Sequence, residues 1–230
     1  MSRPRRSGIL LPLFALPSCY GIGDMGLEAL KFADFLVDAA QTVWQVLPLT
    51  AIDGGCGNSP YSPTSAFAGN PLLISPELLA DSGLIGEADL ADAPAFDDAR
   101  VDYDRVRAFK DALLRRAWTN FKRAGARSEY ERFFADNRHW LEGYSFFAAL
   151  KENRDGQPWY EWPEGLKFRH HEALHRTWME MADEIEFHRF VQFLFSSQMG
   201  VLRSRLSDLG ICLVGDVPVY VTRDCADVWL

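Results

Sequence analysis

The 230-residue sequence has no CxxC pair, no basic run, no internal repeat and no low-complexity tract. No apolar stretch approaches the ~18 residues a membrane helix needs. The four cysteines, Cys19, Cys56, Cys212 and Cys225, are scattered. That spacing excludes a disulfide framework and a structural zinc site, and the expected compartment is reducing. Acidic residues outnumber basic ones, 32 to 24, for a net charge of −8. That balance argues against nucleic acid and anionic membrane as partners and leaves a neutral or cationic ligand for a cytoplasmic protein. No Ser-His-Asp set, P-loop or glycosidase carboxylate pair can be assembled from spacing.

What is present is a large apolar share, 48%, with seven Trp. A chain of this size buries a sizeable core as one or two domains. Most of the rings are expected in that core, with a few left for ligand stacking. The start, Arg3, Arg5 and Arg6 before ILLPLFALPSC, mimics an export leader ending at Cys19. Pro12 and Pro17 interrupt the apolar run, and Pro17 fits poorly just before a cleavage site. The expected reading is a first core strand over Ile9–Leu16.

Leu27–Ala40 carries apolar residues at Leu30, Ala33, Leu36, Val37 and Ala40, a helical spacing. Thr42–Pro48 follows as a second strand. Strand, helix and strand with a short link make a βαβ unit, so the two strands are predicted parallel. Between Ser75 and Leu209 the pattern is helical throughout. Ser75-Pro76 reads as a cap followed by proline in the first turn, with Gly83 as a stop. Val106, Phe109, Leu113, Ala117 and Phe121 line one face of a helix near Tyr103–Ala124. Ser128 with Glu131 reads as a capping box for the next helix. Trp140, Tyr144, Phe147 and Leu150 continue the pattern until Asn153–Gly156. Gln157–Leu166 is an aromatic, proline-bearing loop. A long helical stretch runs from Glu172 to Leu209, with Gly200 as the expected break. Ile211–Val214 is a third strand ending in Gly215-Asp216.

Three motifs have the spacing of known chemistry. Gly21, Gly23 and Gly26 match GxGxxG, but Pro17–Tyr20 separate the strand from the first glycine and no acid ends the second strand. His171, Glu172 and His175 match HExxH, which on a helix presents two imidazoles on one face for zinc. The longer extension of that motif fails at Trp178 and Met181, and neither Glu184 nor Glu186 stands out as a third ligand. Asp216, a lone carboxylate just past a buried strand, lies where parallel α/β proteins bind ligands. The alternative is a turn cap or a pairing with Arg223.

The most informative stretch is Cys56–Pro71, CGNSPYSPTSAFAGNP, after the apolar run Thr42–Leu49. Loops of that length are functional or disordered. Tyr61, Phe67 and three prolines are expected to stiffen it through apolar contacts. A stiff loop bearing hydroxyls and an exposed Tyr suits a polyhydroxylated ligand.

WQVLPL followed by NSPYSPTSAFAGNP, with GDVPVYVTRDCADVW at the end, resembles the 4-α-glucanotransferases (amylomaltases, glycoside hydrolase family 77). LPSCYGIGDMG and VDYDRV fit the same pattern, so the resemblance runs from Gly8 to Trp229. It implies a partial (β/α)8 barrel, its first three strands being Ile9–Leu16, Thr42–Pro48 and Ile211–Val214, with a large helical insertion. The expected division is barrel over residues 1–74, helical insertion over 75–180 and barrel again over 181–230. By similarity, Ser59 and Tyr61 contact the glucan near the scissile bond, Asp216 binds the sugar whose bond breaks, and Tyr103 lies near a second glucan surface. Cys56 stands where some relatives carry an aromatic residue. The implied reaction is retaining transfer between α-1,4-glucans, maltooligosaccharides included, without metal or other cofactor. The family's nucleophile and acid/base are expected beyond Leu230, so this chain alone is expected to be an inactive N-terminal part. The alternatives are a truncated glucan-binding module and an HExxH zinc hydrolase.

Overall fold

The computed structural model describes residues 5–125 and 127–230. Arg3, part of the leader-like start, lies outside them. The elements in chain order are β1 (Gly8–Leu10), α1 (Leu27–Asp38), β2 (Val43–Gln45), α2 (Pro76–Asp81), α3 (Glu87–Ala91) and α4 (Tyr103–Ala124). They continue with α5 (Ser128–Asn153), α6 (Glu164–Lys167), α7 (His171–Glu180), α8 (Ala182–Asp208), β3 (Cys212–Val214) and α9 (Ala226–Trp229). The chain divides into two compact units. One holds the segment up to Leu49 with Asn70–Ala124 and Leu194–Val217; the other holds Thr50–Gly69, Gly125–Phe193 and Pro218–Leu230.

The first unit is built on a parallel three-stranded sheet, order β1-β2-β3, with Ile9, Trp44 and Leu213 in register. The predicted parallel βαβ unit is therefore present, but its strands are shorter than the apolar runs. The first run pairs only as far as the amide of Leu11, which donates to the Gln45 carbonyl at 2.9 Å. Pro12 has no N–H to continue the ladder, and the chain turns into a 3-10 turn over Leu13–Ala15. The second run gives β2 plus one further bond, Val46 N–H to the Val214 carbonyl at 2.9 Å, before Pro48 ends it. Helix α1 stops at Asp38, two residues before the expected end, because Ala40 takes a left-handed φ of 54°.

Trp44 anchors this core. It is fully buried in the central strand, and its indole N–H donates to the Leu11 carbonyl at 2.8 Å. A buried indole needs such a partner, because an unpaired N–H away from water costs about as much as a lost hydrogen bond. Leu13, Met25, Ala33 and Leu36 fill the space around the sheet and α1. Ser75 caps α2 as predicted, accepting from the Leu78 amide, and Gly83 follows with φ 70°. Helix α4 has the predicted bounds and buries Val106, Leu113, Ala117 and Phe121.

The second unit packs around α5. Tyr144, Phe146, Phe147 and Leu150 meet Trp162, Ile185 and Trp229 in one apolar cluster. The expected capping box fails at its first residue. Ser128 is already helical, Arg127 occupies the cap position, and no side chain caps the end. The predicted stop at Asn153–Gly156 holds, with Asp155 and Gly156 at φ 50° and 77°. The loop Gln157–Leu166 condenses into a 3-10 turn over Trp159–Glu161 and the short α6, with Trp162 buried beneath. The long helical stretch breaks at Met181 (φ −111°, ψ 24°) instead of Gly200. Gly200 stays inside α8 because a mid-helix glycine costs only about 1 kcal/mol. Among the described residues, no helix is long and apolar enough to cross a membrane.

Candidate functional site

The loop after β2 is ordered by its own backbone. Two antiparallel bridges, Thr50 to Gly69 and Ile52 to Pro63, fold it into a closed arch. The Asp53 carboxylate accepts from the Gly55 amide at 3.1 Å and starts a short turn, with Gly57 (φ 70°) and Asn58 (φ 54°) reversing the chain. Asn tolerates that left-handed geometry and Gly adopts it freely. The Ser59 hydroxyl then accepts from the Tyr61 amide at 3.2 Å. The Thr64 amide and hydroxyl both reach the Ala51 carbonyl.

The far end of the arch is clasped by α8. The Gln192 amide accepts from the Gly69 N–H at 2.8 Å and donates to the Gly69 carbonyl at 3.0 Å. Six residues further along α8, Gln198 repeats the arrangement on Ser75, at 2.7 and 3.1 Å. A buried backbone with both groups satisfied by one amide is fixed in place. The loop is thus stiff, as expected, but hydrogen bonds supply the stiffness. Tyr61 and Phe67 remain exposed, at 38% and 59%.

Ser59 and Tyr61 are joined by the turn just described and belong to the second unit. Asp216 and Tyr103 belong to the first. Asp216 lies two residues past β3, half-buried, and accepts from the Val217 amide at 2.8 Å. Beyond it Val217, Val219 and Tyr220 are exposed. Tyr103 opens α4 and lines a cavity of about 890 Å³ with Cys19, Asp24, Glu77, Asp97 and Arg100. Burial pushes the Tyr103 phenol up.

The glycine motif is a packing device. A side chain at Gly21 would enter the rings of Phe96, and one at Gly23 would strike the Leu13 carbonyl. The amide at the start of α1 is met by the chain's own Glu77 carboxylate, at 3.4 Å from the Leu27 N–H, where a phosphate would have to sit. Burial pushes the Glu77 carboxyl up. His171 and His175 do share a face of α7, with stacked rings 6.3 Å apart. Both are exposed, and among the described residues no group of three His, Cys, Asp or Glu could hold a metal.

Two residues of consequence were not read from sequence. Lys110 is buried on the apolar face of α4, where its ammonium donates to Asp24 (2.9 Å) and to the Leu72 (2.7 Å) and Ile74 (2.9 Å) carbonyls. Its position, four after Val106 and three before Leu113, was the available signal. Gln192 carried none, since a lone Gln on a long helix resembles any solvated one.

The first unit carries a parallel α/β sheet, and the second a stiff, hydroxyl-rich loop that holds two rings in solvent. The chain belongs to the 4-alpha-glucanotransferase family, whose model matches residues 11–230. It is 44% identical to the 4-alpha-glucanotransferase of Aquifex aeolicus over 98% of this chain and 45% of that protein. It is 42% identical to that of Thermus thermophilus over 100% of this chain and 45% of the relative. The amylomaltase of Streptococcus agalactiae, solved in complex with acarbose, superposes with a TM-score of 0.93 at 34% identity. That match covers 98% of this chain and 46% of the streptococcal one. Corynebacterium glutamicum amylomaltase, at 17% identity and a TM-score of 0.68, shares the fold. The chain thus spans a little under half the length of these bacterial relatives from Aquifex, Thermus and Streptococcus.

Proposed function

We propose that this chain is the glucan-binding part of a 4-α-glucanotransferase, with the family match over residues 11–230 as the observation that carries the reading. In this reading β1, β2 and β3 are the first strands of a (β/α)8 barrel, and the site lies past their carboxyl ends. Residues 1–74 and 181–230 form the barrel part, and 75–180 are the helical insertion. Ser59 and Tyr61 contact the α-1,4-glucan beside the scissile bond. Asp216 accepts hydroxyl hydrogens of the sugar whose bond breaks. Tyr103, on the wall of its cavity, offers a ring to a second stretch of glucan.

The chemistry is a retaining double displacement. A carboxylate attacks the anomeric carbon while a carboxylic acid protonates the leaving oxygen. The hydroxyl of a second glucan then gives its proton back to the deprotonated acid and displaces the carboxylate. The two carboxyls of such a site stand about 5–5.5 Å apart, and we place both in polypeptide outside these 230 residues. The role of this chain is to bind and orient, which in transfer between sugars also keeps water from competing with the acceptor. The expected partners are maltooligosaccharides and the compartment is the cytoplasm.

The 230-residue chain incubated with maltotriose is therefore expected to release no glucose. Sustained release in proportion to protein would place the reacting carboxylates within this chain and contradict the reading.

A further inference from the structure

The loop that carries Ser59 and Tyr61 also carries Phe67, whose exposure is unusual for a residue held so firmly. At 59% exposure its side chain faces solvent, while the backbone around it is tied down on both sides. The Ala66 amide donates to Asp227 at 2.9 Å. The Phe67 and Ala68 amides both donate to the Ser65 hydroxyl, at 3.1 and 3.3 Å. The Ala68 carbonyl accepts from the Ala51 amide at 2.8 Å.

The ring itself is backed by α5. Phe67 lies nearly parallel to Trp140, at 15° with centroids 6.1 Å apart, and meets His139 edge-on at 84° and 6.4 Å. Trp140 is fixed in turn. Its indole N–H donates to Asn137 at 3.1 Å, and its ring packs on Tyr144, which is buried. A flexible exposed Phe would turn inward to hide its surface. Here the backbone and the rings behind it hold one face out, so the ordering cost of binding is already met.

We propose that Phe67, backed by Trp140 and flanked by His139, is a stacking platform for a further glucose unit of a long α-glucan, distinct from the contacts of Ser59 and Tyr61. The proposal rests on the glucan-binding reading above and extends it to chain length. Two observations favour a sugar over a protein partner. Within Cys56–Pro71 the exposed large apolar side chains are Tyr61 and Phe67, both flat rings. Beside them the half-buried Ser59, Ser62 and Thr64 carry hydroxyls, which suits the C–H face and hydroxyl rim of a pyranose. Six residue steps separate Tyr61 from Phe67, at most about 20 Å of chain, which lies within the reach of an oligosaccharide of several units.

The test is calorimetric titration of the 230-residue chain, as parent, Phe67→Ala, Phe67→Tyr and Tyr61→Ala, with maltotriose and maltoheptaose. In the parent, maltoheptaose is expected to bind more tightly than maltotriose. Phe67→Ala is expected to lose that gain, about tenfold, and to keep maltotriose affinity. Phe67→Tyr restores the gain, and Tyr61→Ala weakens both ligands. Unchanged maltoheptaose affinity in Phe67→Ala overturns the platform and leaves the glucan reading intact. Absence of binding by the parent overturns both. Sedimentation of parent and Phe67→Ala covers the remaining occupant: a dimer dissociated by the substitution would assign this face to a second copy and overturn the proposal.

Discussion

Lys110→Met is expected to destabilise the first unit by about 3–5 kcal/mol, enough to unfold a marginal protein. Lys110 and Asp24 are both almost fully buried and 2.9 Å apart. Burial alone pushes the Lys110 ammonium down, and the Asp24 carboxylate opposes that. The charged form persists because all three ammonium hydrogens have acceptors. Methionine keeps the volume and removes the charge. It leaves the Asp24 carboxylate without its counter-ion and the Leu72 and Ile74 carbonyls without donors. Leaving one buried charge uncompensated is the costly direction of such a change. Asp24 retains only its bond from the Gly26 amide, at 3.0 Å. Urea unfolding followed by circular dichroism measures the loss. A change below about 1 kcal/mol would mean that water reaches the pair and the account of this core is wrong.

That pair also marks where sequence reading stops. The face of α4 was legible because Val106, Phe109, Leu113, Ala117 and Phe121 repeat at helical spacing. The same spacing concealed Lys110, because periodicity records which side faces the core and says nothing of a charge satisfied there. The strands were legible as apolar runs but not in length, since pairing ends where Pro12 and Pro48 remove donors. Gly200 was the expected break and Met181 the actual one, because propensity is weak beside the packing that fixes a long helix. In the loop, hydroxyls and turn residues announced an ordered segment. The clasp by Gln192 joins residues 123 apart in sequence, a distance no local pattern reports. Phe67 was expected among the contacts that stiffen the loop, and its ring does pack on Trp140, although 59% of the residue is left in solvent.

Trp229→Ala is expected to cost the second unit about 3–5 kcal/mol. Trp229 is 4% exposed, with ring centroids 5.9 Å from Phe146 and Phe147 and 5.5 Å from Trp162. Its indole N–H donates to the Leu166 carbonyl at 3.0 Å. Truncation therefore opens a cavity among three large rings and removes one of the donors to the Leu166 carbonyl, which keeps the Arg169 amide at 3.2 Å. A four-residue helix such as α9 has no stability of its own, so its docking depends on this side chain. Gly143 on α5 allows the approach, since a side chain there would enter Leu230. The thermal midpoint of the second unit should fall by several degrees. Near-ultraviolet circular dichroism should lose the band of the Trp162–Trp229 contact. An unchanged midpoint would mean that α9 is not part of this core.

The most direct test of the central claim, that this chain is the glucan-binding part of a 4-α-glucanotransferase, is a paired calorimetric titration of the folded chain with maltohexaose and cellohexaose. The two ligands share composition and length and differ in linkage. The account predicts saturable binding of the α-1,4-linked hexaose, weakened by Asp216→Asn, and none of the β-1,4-linked one. Equal binding of both, or of neither, would contradict it.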